Sequence, residues 1–159
     1  MKNQTYKVTE EEKREVDKFV EASWKNHLAR GRTPDQVKND IRIGKLGEVV
    51  FYQIAKGWYE RISKPMFEVT TYGDGGKDFT VQQSRASFLD NIDVKTVDEG
   101  WKRRVYFKEN GAWNRISVIQ LEGDVGKYLG SLHRNDLRIN RDQNGATYVN
   151  KSDFEQAPS

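Results

Sequence analysis

The run Arg115 to Leu121, Arg-Ile-Ser-Val-Ile-Gln-Leu, places aliphatic side chains at Ile116, Val118, Ile119 and Leu121. A strand with one wet face alternates between apolar and polar residues, whereas a nearly continuous apolar run is buried on both faces. Such a strand lies inside a sheet, and other parts of the chain have to cover that sheet.

Two helices precede it, each with an explicit start signal. Thr9 followed by Glu12 is a capping box, and Glu10 and Glu11 suit the positive end of the helix dipole. Val16, Phe19, Val20, Ser23, Trp24, His27 and Leu28 recur at helical spacing, with Gly31 as the stop. Thr33, Pro34 and Gln36 repeat the start signal. Val37, Ile41, Leu46, Val49, Val50 and Ile54 carry the second helix to Lys56, with Gly57 as its stop. Gly44 and Gly47 interrupt it, each at a cost of about 1 kcal/mol relative to alanine. Glycine in a helix interior marks a close approach by another element. Glu48 lies four residues after Gly44 and shares its face.

The strands follow. Met66 to Tyr72 reads as the first, Gly73 to Gly76 as a turn, Phe79-Thr80-Val81 as the next strand, Gln82 to Ser87 as a polar turn, and Ile92-Asp93-Val94 as a third strand. Val105 to Phe107 and Gly126 to Leu132 add further strands, and Asn110-Gly111 is a hairpin turn signal. Residues 1–8 read as a loose lead-in and residues 140–159 as a loose polar tail. The expected architecture is a single domain over 1–159, α/β or α+β in class, with two N-terminal helices packed on a mixed sheet of about five strands.

Composition narrows the chemistry. The 159 residues include no cysteine, which excludes disulfides and cysteine-based zinc sites, and only two histidines, His27 and His133, leave little for a histidine-rich metal site. The mean hydropathy of −0.90 comes with no apolar run of membrane-spanning length, so no membrane partner is expected, and the start does not read as a signal peptide. The cytoplasm is therefore the expected compartment. A net charge of +3 and a pI near 9.0 are compatible with an anionic partner.

On a strand, side chains two apart point the same way, so Asp93 and Lys95 share one face and Ile92 and Val94 the other. If the strands of Phe79 and Ile92 pair, Asp78 lies beside Asp93. Two neighbouring carboxylates repel each other, and a hard divalent cation relieves the repulsion while keeping waters and substrate phosphate as its other ligands. A lysine at such a site can orient the attacking water or offset charge growing on a phosphate. An isolated Asp-x-Lys is also common on solvated strands, so the neighbouring motifs decide its meaning.

Those motifs are Gly44-Lys45-Leu46-Gly47-Glu48 on a helix, Gly76-Lys77-Asp78-Phe79 after a glycine turn, and Ile92-Asp93-Val94-Lys95-Thr96 on the following strand. Their order and element types resemble the PD-(D/E)xK nuclease superfamily, and the likeness covers Gly44 to Thr96, with Arg115 to Leu121 as the next core strand. The resemblance implies a restriction-endonuclease-like core and a DNA endonuclease. In that reading Asp78 and Asp93 bind Mg²⁺, with Mn²⁺ able to substitute, Glu48 completes the metal shell, and Lys95 positions the attacking water. It also implies that Gly44 or Gly47 lets the helix pack close to the sheet. The family's usual helix between the Asp93 and Arg115 strands is missing, and a long hairpin is expected in its place.

For holding DNA, the densest cations are in Trp101-Lys102-Arg103-Arg104, where an aromatic beside three charges suits phosphate contacts with stacking; Arg42 and Lys45 come next. Cutting both strands calls for two active sites, which makes a homodimer one expectation. A nucleic-acid-binding module that keeps the fold without catalysis is the alternative.

Overall fold

The computed structural model describes residues 2–28, 31–69, 77–83, 89–98 and 103–157. Both helices begin as their capping boxes dictate. In α1 (Glu10–Ser23) the Thr9 hydroxyl accepts the Glu12 amide and the Glu12 carboxylate accepts the Thr9 amide. Thr33 and Gln36 repeat the pattern for α2 (Pro34–Ala55). α1 stops short of the apolar spacing. The Ser23 hydroxyl donates back to Phe19 O at 2.7 Å, a bond that competes with the helix ladder; Trp24–His27 is a 3-10 turn and Leu28 is exposed.

The described strands are β1 (Thr5–Lys7), β2 (Arg61–Ile62), β3 (Phe79–Gln82), β4 (Asp90–Asp98), β5 (Arg104–Tyr106), β6 (Arg115–Glu122), β7 (Val125–His133), β8 (Asn140–Arg141) and β9 (Thr147–Asn150), followed by α3 (Lys151–Gln156). Six of them form a mixed sheet in the order β1-β7-β6-β4-β3-β2; the others form a small sheet, β5-β9-β8. β2, β3 and β4 are an antiparallel meander, and β6 runs parallel to β4 with Ile92 opposite Arg115. The class is therefore α+β. Among the described residues no helix is long and apolar enough to cross a membrane.

β6 is buried on both faces, as its apolar run requires: Ile116, Val118 and Ile119 are all 0% exposed. Ile119 and Leu121 join Ile92, Val94 and Phe79 in a core with Val16, Val50 and Phe51 of the helices. Ile116 and Val118 join Val97 in a second core, closed by Val105, Val149 and Phe154. A register shift in β7 opposite Val118 and Ile119 helps seat α3. At that bulge Gly130 has φ +154, and a Cβ there would overlap the Phe154 carbonyl oxygen.

The second core corrects the reading of residues 140–159 as a loose tail. The described part, residues 140–157, holds β8, β9 and α3, because the far face of β6 needs apolar cover and Val149 and Phe154 supply it. Residues 2–8 of the expected lead-in are not loose either: β1 pairs with β7 along its outer edge, Thr5 opposite Lys127, and Val8 is buried. The strand expected over Met66 to Tyr72 does not form in its described part, Met66 to Val69. There the Met66 carbonyl is drawn to the Lys45 ammonium at 2.7 Å and Phe67 packs edge-on against Phe19, while Arg61–Ile62 takes the ladder position beside β3. Asn110 and Gly111 do lie in a turn, but no hairpin results. β5 leaves the main sheet to pair with β9, which lets β6 return parallel to β4. The turn at Gly73 to Gly76, including Asp74, and Ser84 to Ser87 of the second turn lie outside the described residues.

Candidate functional site

The β3–β4 register sets Phe79 opposite Ile92 and Thr80 opposite Asn91, which carries Asp78, one residue before β3, to the level of Asp93. Beyond Phe79 the amides of β4 run past the end of the ladder. The Val94 amide donates to Asp78 Oδ2 at 2.7 Å, and the Asp78 amide donates to Ile92 O at 2.9 Å. Asp78 is thus anchored through both its main chain and its side chain. On β4, Ile92 and Val94 enter the helix-side core and Val97 the other one, so Asp93 and Lys95 project away from the helices. Lys95 Nζ stands 3.0 Å from Asp93 Oδ2; the aspartate side chain is 14% exposed and the lysine 31%.

Asp78, Asp93 and Lys95 line one cleft of about 650 Å³, faced by Tyr106, Lys108, Glu109, Trp113 and Thr147. That facing wall is built, not floppy packing. The Arg134 guanidinium donates to the carbonyls of Glu109, Gly111 and Trp113, with bonds of 2.7 to 3.1 Å, and lies 3.8 Å from the Trp113 ring centre. Asn91 and Asn114 tie the same loop to the start of β4. Glu109 is held by Arg141 at 2.7 Å and by the Thr147 hydroxyl at 2.8 Å. None of these wall residues was singled out from the sequence; Asn110-Gly111 was the one local signal near them.

Glu48 is not among the residues lining this cleft. α2 lies on the opposite face of the sheet, and the Glu48 carboxylate takes an ion pair from Lys45 at 3.1 Å, with side chains 13% and 8% exposed. The close approach implied by the glycines is present at one of them. A Cβ on Gly47 would stand 2.9 Å from Thr96 Cβ, 3.0 Å from Thr96 Cγ2 and closer still to Oγ1, whereas Gly44 faces open space. The approach is directed at Thr96, which points to the helix side of β4.

Of the residues expected to grip DNA, Lys45 is not at the surface. It is a buried ammonium, donating to Glu48 and Met66 O and lying 4.4 Å from the Phe19 ring centre, so it is turned inward rather than toward phosphates. Arg42 is exposed and pairs with Asp17 at 2.9 Å, in a hollow shared with Lys13 and Asp124 rather than at the cleft. Trp101 and Lys102 lie outside the described residues. Arg103 and Arg104 line a hollow of about 550 Å³ that shares Lys95 and Tyr106 with the cleft.

Two carboxylates in one cleft fit a divalent cation of the Mg²⁺ type, which uses one or two carboxylates and fills its shell with water and phosphate oxygens. Among the described residues no three acidic or histidine side chains converge to hold a metal, so an all-protein cage is not present there. Comparison with protein-family models, with curated proteins and with solved structures found no match.

Proposed function

We propose that this chain is a metal-dependent DNA endonuclease of the PD-(D/E)xK kind, with Asp78, Asp93 and Lys95 as its reactive set. One observation carries the reading. A β-meander followed by a parallel strand delivers these side chains, in the nuclease order, to a single cleft. Asp78 and Asp93 would hold Mg²⁺ or Mn²⁺, which when bound acidifies a water and offsets charge on the phosphate. The chain's own part is positional and electrostatic. The Val94 amide fixes Asp78, and Asp93 steadies the Lys95 ammonium, which keeps donors for a water or a phosphate oxygen. Glu48 is then a structural partner of Lys45.

The ion pair of Glu48 with Lys45 favours a second reading, a nucleic-acid-binding module without catalysis. Incubation with supercoiled and single-stranded DNA, in Mg²⁺ or Mn²⁺ and then in EDTA, separates the two. The nuclease reading expects metal-dependent cutting that Lys95→Ala and Asp78→Asn abolish. Asparagine keeps an oxygen for the Val94 amide, so thermal melting of Asp78→Asn should match the parent. Binding without cutting on every substrate supports the second reading, and cutting by both variants at the parental rate refutes the site.

A further inference from the structure

Tyr106 stands where two concavities meet, the cleft of Asp78, Asp93 and Lys95 and the hollow of Arg103 and Arg104. It is 45% exposed, on the outward face of the small sheet. Register pairs Tyr106 with Tyr148 and Val105 with Val149. The valines, 2% and 0% exposed, fill the second core, so both tyrosines face away from it. Their rings lie 5.6 Å apart, and the Arg104 guanidinium sits 4.4 Å over Tyr148. The Tyr106 hydroxyl donates to Asp142 at 3.3 Å.

A cross-strand tyrosine pair is an ordinary way to stabilise a sheet. The position of this one adds something. We propose that Tyr106, backed by the Tyr148–Arg104 stack, is a platform on which an unpaired nucleobase stacks, so that the DNA taken by this site is single-stranded or locally unpaired next to the bond it presents to Lys95. The inference rests on the nuclease reading only for the identity of that bond. A strand laid from cleft to hollow meets Lys95 and then the two arginines with its phosphates, and Tyr106 with a base. Sequence-tolerant binding of single strands combines these two elements, a cationic track and aromatic faces. In a duplex each base is already covered by its neighbours, and stacking on a side chain requires unpairing or flipping it.

The test is anisotropy of a fluorescent oligothymidylate and of a duplex of equal length, in EDTA so that nothing is cut. Tyr106→Ala is expected to weaken single-strand binding about tenfold, within the range found for loss of a base–aromatic stack, and to leave duplex binding unchanged. Tyr106→Phe keeps the ring and should bind as the parent. As a check that needs no variant to fold, a 5-iodouracil oligonucleotide photo-crosslinked to the parent should map to Tyr106. Parental single-strand affinity in Tyr106→Ala, equal loss on both substrates, a phenylalanine variant as weak as the alanine one, or a crosslink mapping only elsewhere overturns the platform. If the platform holds and no metal supports cutting, the nuclease reading fails and the platform stands. If cutting occurs and Tyr106→Ala shows no single-strand defect, the platform alone fails.

Discussion

Gly44 and Gly47 stand three residues apart in one helix, and alanine should act oppositely at the two. Replacing a helical glycine by alanine is worth about 1 kcal/mol in backbone propensity. At Gly44 the new methyl meets nothing within 4 Å, so that gain is realised. At Gly47 it meets Thr96 Cβ at 2.9 Å and Cγ2 at 3.0 Å. Rotation of the threonine cannot clear a clash with its own Cβ, and a β-branched side chain has few rotamers to offer. The helix must lift instead, from a contact that buries Val49, Val50 and Phe51. Overpacking of this kind costs about 1–3 kcal/mol. Urea unfolding should therefore show Gly44→Ala up to about 1 kcal/mol above the parent and Gly47→Ala below it by up to about 2 kcal/mol after the propensity gain is set against the clash. In a Thr96→Ala background, which removes Oγ1 and Cγ2, the Gly47→Ala penalty should shrink by an interaction energy of about 1 kcal/mol. If Gly47→Ala is as stabilising as Gly44→Ala, the helix does not rest on Thr96, and the placement of Glu48 relative to the sheet is wrong with it.

Lys45→Met should destabilise by about 3 kcal/mol in denaturant titration, because it strips the buried ammonium from Glu48, while Lys45→Met with Glu48→Leu should cost much less. Arg134→Ala removes a guanidinium that bonds three carbonyls of the cleft wall and should cost about 2–4 kcal/mol. Arg134→Lys, which lacks the planar fork, should recover little of that; parental melting in either variant refutes the clamp. Burial pushes the Tyr128 phenol from 10.0 up to about 12, and burial with the bond to Glu12 does the same for Tyr6. The unfolded chain thus loses these protons first, so stability should fall as pH rises from 10.0 towards 12, and Tyr128→Phe should flatten that fall in unfolding curves followed across the window.

The local features of this chain were legible in its residues. Thr9–Glu12 and Thr33–Gln36 set where the helices start, since a capping box satisfies orphan amides with neighbours three residues away. The alternation around Asp93 set which side chains share a face, and the pairing of β3 with β4 followed from their adjacency. The apolar run at Ile116 to Leu121 even stated that both faces of its strand are covered. What it could not state is by what. Val149 and Phe154 lie in a polar stretch without periodicity, and only the fold brings them across β6 to close the second core. The same holds at the site. Glu48 and Asp93 belong to one ordered set of motifs, yet α2 packs on the face of β4 opposite the Asp93 side chain. The wall facing Lys95 comes from residues 106–113 and 145–147, which no local spacing connects. Capping and alternation are short-range and survive reading one residue at a time; which side of a sheet a helix takes, and which distant segment covers the other, is settled only when every apolar face must find a partner at once.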